Sequence, residues 1–364
     1  MATVNYKCPN CGGPLQFNPD KQKFSCEYCM SDFDEKTIQD LYAEKEAQQS
    51  RADRDEQRAK EKAEKAAEQG EEVQEDAVVY TCPSCGAEVV TTASTAATTC
   101  FYCQNPVVLG GRLSGEFKPD RVIPFALSKQ AAIKKFMEMC HKKLFLPKSF
   151  ASEKQFEKFS GVYFPYWYID EQKSASIVAK GDKVRTWTSG TKQYTETSTY
   201  RLYRSGDLVI KNVFERALKN DDREMLQGVH PYDLTKAHKF SMSYLSGFQA
   251  EKRDLERADV AQEVEKRIQD YAEEILKKTM DGYSSIRTES YNDKTELESW
   301  NYTLLPVWIT TYKYGGKIWP YAINGQTGKT YGKLPVSKGK VALLFAIVTV
   351  IVFILGVLGG LLLL

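Results

Sequence analysis

Eight of the nine cysteines in this 364-residue chain fall into four Cys-x-x-Cys pairs. The pairs form two copies of one arrangement, with 14 residues between the first and second pair of each copy. A Cys-x-x-Cys pair can turn two thiolates onto one metal ion, and two such pairs complete a tetrahedron. The predicted ligands are Cys8, Cys11, Cys26 and Cys29 in the first copy, and Cys82, Cys85, Cys100 and Cys103 in the second.

Each four-cysteine set predicts a closed, structural zinc site. Four protein ligands leave no open coordination position, so the ion would hold the fold together and would not catalyse. Gly12 and Gly86 follow the first pair of each copy and permit the tight turn around the metal. A module of about 35 residues cannot build a sufficient core alone, which gives the metal a physical role. Two zinc ions are predicted, with iron in a rubredoxin-like site as the alternative.

Disulfide bonds are the competing use of paired cysteines. The first ten residues lack the apolar core of a secretory signal, so we expect the cysteines to lie in a reducing compartment. Paired cysteines in that setting more often bind metal than form disulfides. The ninth cysteine, Cys140, lies on the apolar face of a predicted helix and is expected to be a buried core residue.

The charge of the two modules argues against nucleic acid as their ligand. Lys21 and Lys23 are the basic residues between Cys11 and Cys26, and the matching stretch of the second copy has none. The net charge of the whole chain is +2. A phosphate-binding face should be basic, so protein contact or a purely structural role is favoured over nucleic-acid binding.

The elements that must position these sites divide the chain into five predicted segments. The second segment is rich in Ala, Glu, Lys and Gln and lacks apolar heptads, so it reads as a solvated helix rather than a coiled coil. The segments are a zinc ribbon at 1–34, the helical spacer at 35–76, a second zinc ribbon at 77–110, a mixed body at 111–335 and a transmembrane helix at 341–364.

The body is predicted to be α+β, because strand patterns are interrupted by helical ones. A helix is predicted over 128–143 and another, in two pieces, over 235–279. Gly315-Gly316 predicts a two-residue hairpin between strands at 303–314 and 317–323. Strands are predicted at 163–169, 174–179, 184–188, 194–203 and 208–213, separated by turns at 181–182, 189–190 and 205–206.

No motif in the body predicts an enzyme. Residues 325–330 resemble the end of a phosphate-binding loop, but Ile323 stands where that loop needs glycine, and the stretch lies in a predicted hairpin. The three histidines, His141, His230 and His238, form no metal or catalytic pattern. We therefore predict neither catalytic nor organic-cofactor residues.

Residues 341–364 predict a membrane span, because 24 consecutive residues carry no charge and about 20 suffice to cross a bilayer. Lys333, Lys338 and Lys340 precede the span, so the body is expected in the cytoplasm, tail-anchored to the cell membrane by a single pass. Gly356 and Gly360 form a small-xxx-small pair that could pack against a partner helix.

With the paired ribbons and the terminal apolar segment, several body motifs resemble those of YdjG-type proteins of Gram-positive bacteria, often described as TFIIB-type zinc-ribbon proteins. The motifs are VIPF at 122–125, PKSF at 147–150, GVYFPYW at 161–167, LPVW at 305–308 and AINGQTG at 322–328. The resemblance implies a non-enzymatic membrane protein that works beside PspA-like and SPFH-type proteins.

The resulting functional prediction is a membrane-anchored adaptor that docks cytoplasmic proteins at the bilayer, with PspA-like and SPFH-type membrane-stress proteins as the implied partners. The alternative is a membrane-tethered regulator that binds nucleic acid. It is motivated by the ribbons and the long spacer, and it predicts binding that weakens as salt rises.

Overall fold

The structure, a computed structural model, describes residues 6–43, 78–81, 88–91, 95–99, 106–108, 117–147, 150, 159–219, 223–314 and 317–362. The chain folds into two compact units. The first combines Met1–Phe164, Asn220–Lys252 and Leu304–Leu364, and the second combines Pro165–Lys219 and Arg253–Thr303. The predicted spacer is helical over 35–43, and its remainder lies outside the described residues.

Strands and helices together make an α+β fold, as predicted, with mostly antiparallel pairing. The helices are α1 (35–43), α2 (Lys129–His141), α3 (Arg223–Gly228), α4 (Arg257–Lys278) and α5 (Lys338–Leu362). The strands are β1 (Leu15–Asn18), β2 (Lys23–Cys26), β3 (Asp32–Phe33), β4 (Val78–Thr81), β5 (Glu88–Thr91), β6 (Thr95–Thr99), β7 (Pro106–Val108), β8 (Arg121–Val122), β9 (Ser160–Ser189), β10 (Lys192–Arg216), β11 (His238–Lys239), β12 (Gln249–Glu251), β13 (Ser285–Tyr314), β14 (Lys317–Asn324) and β15 (Thr330–Gly332).

Aromatic side chains fill the core of the first unit. The rings of Phe125 and Phe248 stack with centroids 4.2 Å apart, and Trp308 packs against both. The Trp308 indole N–H donates to the carbonyl oxygen of Leu127 at 2.9 Å. Gly161 is required beneath these rings, because a Cβ there would stand 2.7 Å from the ring of Phe248. The GVYFPYW and LPVW motifs thus meet in one core.

The second unit is built on one long hairpin. Strands β9 and β10 pair antiparallel from Lys192 opposite Ser189 onwards, around a turn in which Gly190 has φ +63°. Helix α4 covers one face, where its Leu276 and, just beyond its end, Met280 pack on strand residues that are mostly small or branched. Those buried strand residues are Ala175, Ile177, Ala179 and Leu202.

The turns predicted at 181–182 and 205–206 are wrong, because both sites lie inside these strands. Gly181 is there for space: a Cβ would stand 2.7 Å from both Leu202 and the ring of Tyr283. Gly206 pairs regularly with Ala175. A glycine in a strand often marks close packing, and that reason applies to Gly181.

Of the helices predicted in the body, the one at 128–143 and the second piece of 235–279 are confirmed, and the first piece of 235–279 is wrong. Helix α2 begins at Lys129, directly after the predicted Ser128, which caps it: the Ser128 hydroxyl accepts from the backbone N–H of Ala131. Helix α4 matches the second predicted piece of 235–279. The first piece is wrong: it holds β11, a short 3₁₀ turn at Met242–Leu245, and β12. Gly247 has φ +92°, which a continuing helix cannot accommodate.

The predicted pairing of the strands at 303–314 and 317–323 is confirmed, since Tyr314 of β13 pairs with Lys317 of β14. The predicted Gly315-Gly316 turn itself lies outside the described residues. Residues 325–328 form the turn between β14 and β15 rather than opening a helix. The side chain of Asn324 stabilises this turn by accepting from the N–H groups of Gln326 and Thr327. The resemblance to a phosphate-binding loop is therefore excluded.

Helix α5 covers the predicted membrane segment, 341–364, as far as Leu362, and the last two residues lie outside the described ones. Over Lys338–Gly356 it is long and apolar enough to cross a bilayer, and none of this stretch is buried by the rest of the protein. Among the described residues it is the one helix that meets this criterion. After the lysines at its start, this stretch has one polar side chain, Thr349. The Thr349 hydroxyl donates to the carbonyl oxygen of Phe345 at 2.9 Å, so its hydrogen bond is satisfied within the helix, as a membrane span requires.

Candidate metal centre

The first Cys-x-x-Cys pair lies on a tight backbone turn. The N–H of Cys8 donates to the carbonyl oxygen of Gly13 at 2.6 Å, and the N–H of Gly12 donates to the carbonyl oxygen of Cys8 at 2.8 Å. Gly12 adopts φ +74°, the left-handed conformation that glycine reaches without steric cost. The turn therefore brings Cys8 and Cys11 to the same side of the loop, as the sequence predicts.

A short hairpin carries the second pair to the first. Strands β1 and β2 pair so that Leu15 stands opposite Cys26, which returns the chain to the first turn. The second turn closes when the N–H of Cys26 donates to the carbonyl oxygen of Ser31 at 3.0 Å, and Met30 takes φ +56°. We call residues 6–34 ribbon 1.

The four thiols of ribbon 1 converge on one point. Their Sγ atoms all lie within 4.8 Å of one another. The Sγ atoms of Cys8 and Cys29, and those of Cys11 and Cys26, are 3.5 Å apart. A disulfide needs about 2.05 Å, whereas a tetrahedron of about 2.3 Å zinc–sulfur bonds places its sulfurs roughly 3.8 Å apart. These four cysteines form a cluster that can hold a metal ion.

The charges of the thiols explain why a cation belongs here. The hydroxyl and N–H of Ser31 stabilise a thiolate and lower the pKa of Cys29 to about 6. The N–H of Gly13 also favours a thiolate at Cys11, but the neighbouring thiols outweigh it and raise the pKa of Cys11 to about 12. Cys11 therefore keeps its proton at neutral pH unless a cation at the centre of the cluster compensates the charge of its thiolate.

The remaining cysteines separate into two groups. Cys140 is buried on α2, outside the cluster, as predicted, and burial raises the pKa of its thiol to about 12. Cys82, Cys85, Cys100 and Cys103 lie outside the described residues. Strands β4 and β5, which flank the first two of them, pair with Thr81 opposite Glu88.

Ribbon 1 packs against a segment of the first unit that we call the docking segment, residues 238–248. The Ser246 hydroxyl donates to the carbonyl oxygen of Leu15 at 2.6 Å, and the N–H of Phe17 donates to the carbonyl oxygen of Ser246 at 3.3 Å. Gly247 lies against the side chain of Gln16. The β1 strand is thereby joined to the rest of its unit by its own backbone.

Aromatic contacts extend this interface. The ring of Tyr244 packs edge-on against Phe17 at 5.1 Å and lies 5.9 Å from Phe24, which is fully buried. At the far end, Glu35 lies 3.2 Å from Nδ1 of His238. The sequence prediction placed a helix here and missed the interface. Three serines and a glycine within 241–247 are the signal that could have indicated an irregular segment.

The class of protein is an α+β protein with a four-thiol ribbon that can hold a metal ion. In the described part of the chain, one helix is long and apolar enough to cross a membrane. The chain is 32% identical over 239 residues to the Uncharacterized protein YdjG of Bacillus subtilis (strain 168), a match that covers 66% of this chain and 70% of that protein. The chain therefore belongs to the YdjG family. No protein-family model matches it, and no solved structure matches it.

Proposed function

We propose that the protein is a membrane-anchored zinc-ribbon adaptor that docks cytoplasmic proteins at the bilayer. The observation that carries the proposal is the exposed end of ribbon 1. Tyr28 and Met30, beside the ligand Cys29, are 75% and 79% exposed, while the opposite side of the ribbon is covered by the docking segment. Large side chains held in solvent by a rigid, closed metal site suit contact with a protein.

Zinc fits the thiol cluster best, because four thiolates in a tetrahedron are its usual structural environment. The strand pairing supports a second site of the same kind. In ribbon 1 the residue just before the first cysteine, Lys7, pairs with Pro14. In the second copy the equivalent residue, Thr81, pairs with the equivalent Glu88. The equivalent pairing of the residues that bracket the first cysteine pair in each copy is what two ribbons of one design require.

Anchoring rests on α5. Its apolar stretch has no protein cover, and a bilayer would bury it. Lys333, Lys338 and Lys340 stand immediately before the apolar stretch, and lysines at a helix end favour the cytoplasmic side. The part of the chain that precedes the helix would then face the cytoplasm, where the thiols remain reduced and able to bind metal.

The partners proposed first are PspA-like and SPFH-type proteins, which the family resemblance implies. Cross-linking in living cells, followed by purification of the full chain in detergent, tests this. The variant Tyr28→Ser/Met30→Ser should lose at least one partner that the wild type captures. Leu144→Ser is the matched control, because Leu144 is equally exposed, at 79%, but belongs to another part of the first unit.

Identical partner sets for the wild type and for Tyr28→Ser/Met30→Ser would refute the role of this surface. The alternative, a membrane-tethered regulator that binds nucleic acid, predicts a different result. The purified full chain would then bind DNA or RNA at low salt, and the affinity would fall steeply as salt rises. Binding of that kind without a protein partner would favour the alternative.

A further inference from the structure

The β9/β10 hairpin continues beyond the part of its sheet that α4 covers. The last residues buried under the helix are Ala179 and Leu202, which pair with each other. From 183 to 197 every side chain is exposed, on both faces of the two-stranded ribbon. We call residues 183–200 the hairpin tip. A two-stranded ribbon exposed on both sides buries no core, so its composition needs another explanation.

Aromatic and basic side chains share one face of the hairpin tip. Trp187 and Tyr194 form a cross-strand pair, with ring centroids 5.7 Å apart and planes 15° from parallel. The guanidinium of Arg185 lies 5.8 Å from the Trp187 ring. The ammonium of Lys183 lies 5.5 Å from the ring of Tyr200.

The charge of the tip is positive. Within 183–200 the cations are Lys183, Arg185 and Lys192, and Glu196 is the single anion. Glu196 stands opposite Arg185 in the strand register, which leaves Lys183 and Lys192 uncompensated within the tip. The large hydrophobic side chains exposed on the tip are Trp187, Tyr194, Tyr200 and Val184. All of them except Val184 are aromatic rings that carry a polar group. A partner surface should therefore be anionic and able to receive amphipathic rings.

We infer that the hairpin tip binds the headgroup region of an anionic bilayer. Trp and Tyr rings are favoured at the level of lipid headgroups, where one edge is wet and the other apolar. Each lysine or arginine near an anionic lipid surface contributes about 1 kcal/mol. The inference rests on the proposed anchoring by α5, which would hold the second unit at high effective concentration beside the membrane.

The arrangement of the rings disfavours single-stranded nucleic acid as the ligand. Nucleic acids bind such surfaces by stacking bases on open ring faces. Here one face of Trp187 is taken by Tyr194, and Arg185 stands close to the same ring. The Lys183 ammonium lies over the ring of Tyr200, and the rings of Tyr200 and Tyr283 form a T-shaped pair with centroids 5.9 Å apart. The side chains of Trp187, Tyr194 and Tyr200 are nevertheless 42%, 44% and 45% exposed, and amphipathic rings of this kind are favoured in a headgroup layer.

Fluorescence of the full chain on lipid vesicles tests the inference. Vesicles are prepared from phosphatidylcholine alone or with phosphatidylglycerol, each carrying lipids brominated near the headgroup end of the acyl chains. Bromine quenches only nearby tryptophans. Trp187→Phe removes the tryptophan of the tip, and Trp300→Phe, in the same unit but outside the tip, is the matched control. Lys183→Glu/Arg185→Glu reverses the charge.

Quenching should be stronger on phosphatidylglycerol vesicles than on neutral ones, and added salt should reverse the excess. The excess should disappear in Trp187→Phe and in the charge-reversal variant and persist in Trp300→Phe. Equal quenching of the wild type and Trp187→Phe would overturn the inference. A salt-sensitive complex with a single-stranded oligonucleotide, lost in Trp187→Phe without lipid quenching, would also overturn it in favour of nucleic acid.

A second experiment distinguishes a failure of membrane anchoring by α5 from a failure of lipid binding by the hairpin tip. Sedimentation with neutral vesicles reports on α5, because the charge of the tip has no counterpart there. A chain that fails to sediment with neutral vesicles contradicts the anchor. The same chain can still be tested for sedimentation with phosphatidylglycerol vesicles, and loss of that binding in the charge-reversal variant would support the tip alone.

Discussion

The hydroxyl of Ser246 donates a 2.6 Å hydrogen bond to the carbonyl oxygen of Leu15, a residue 231 positions earlier in the chain. Both residues are at most 1% exposed. Leu15 begins the β1 strand, which carries the chain between the two cysteine pairs of ribbon 1. The bond therefore links the geometry of the metal site directly to the docking segment, and the two should respond to each other.

Ser246→Ala should loosen ribbon 1 on the first unit. Removing the donor leaves a buried carbonyl oxygen short of one partner, which costs about 1–3 kcal/mol. Hydrogen exchange of the β1–β2 amides, followed by mass spectrometry, should then accelerate roughly 5- to 100-fold if exchange proceeds through release of the ribbon. Ser205→Ala, an exposed serine, is the control. Unchanged protection in Ser246→Ala would show that the bond contributes nothing to docking.

Lys173→Met should destabilise the second unit strongly. The ammonium of Lys173 is fully buried and contacts three carboxylates, Glu171 at 3.1 Å, Glu265 at 2.9 Å and Asp293 at 2.8 Å. Replacing Lys173 leaves the buried carboxylate of Glu171 without a cation. Removing one partner of a buried ion pair in this way lowers the free energy of unfolding by about 3–5 kcal/mol. Lys180→Met removes a half-exposed ion pair and should cost at most about 1 kcal/mol. Urea unfolding monitored by exchange of β9 amides measures both.

The stability deficit of Lys173→Met, meaning the unfolding free energy it loses relative to the wild type, should depend on pH in a definite direction. Burial disfavours the charged form of Lys173, but hydrogen bonds to Asp293, Glu265 and Glu171 outweigh it and raise its pKa above the ordinary lysine value. Its stabilisation is therefore complete below that ordinary value and is lost only as pH rises through the raised one. In Lys173→Met, acid should reduce the deficit, because a protonated carboxyl carries no uncompensated charge. A deficit that grows in acid would contradict this.

His230 should make the first unit sensitive to mild acid. Burial, assisted by the nearby charge of Lys329, lowers the pKa of His230 to about 4 from an ordinary 6.5. The unfolded chain then binds a proton that the folded one does not, so stability is complete above pH 6.5 and falls towards pH 4. The loss is at most about 3 kcal/mol. His230→Gln should flatten the unfolding profile in that window, whereas His141→Gln, at an exposed histidine, should not.

The sequence correctly predicted those elements that are determined by residues close together in the chain. The Cys-x-x-Cys spacing predicted the convergence of Cys8, Cys11, Cys26 and Cys29, because each turn is closed by its own backbone. The antiparallel pairing of the strands on either side of 315–316 and the periodicity of α4 were predicted for the same reason. The apolar run likewise predicted α5, since length and composition alone define it.

The features that the sequence predicted wrongly are determined by contacts between residues far apart in the chain. Gly181 reads as a turn, but the packing of Leu202 and Tyr283 against it sets its role within β9. The docking segment reads as helix by its apolar spacing, yet Ser246 and Tyr244 are committed to ribbon 1. No short pattern reports a contact between residues more than two hundred positions apart.

The metal content of the full chain tests the central claim, that thiol ribbons of one design organise an adaptor. Zinc is measured in reduced protein purified in detergent, for the wild type, Cys8→Ser/Cys11→Ser and Cys82→Ser/Cys85→Ser. We predict about two zinc ions per wild-type chain and about one in each variant, because each four-cysteine set is expected to hold one ion. Zinc that is absent from the wild type, or unchanged in both variants, would contradict the account.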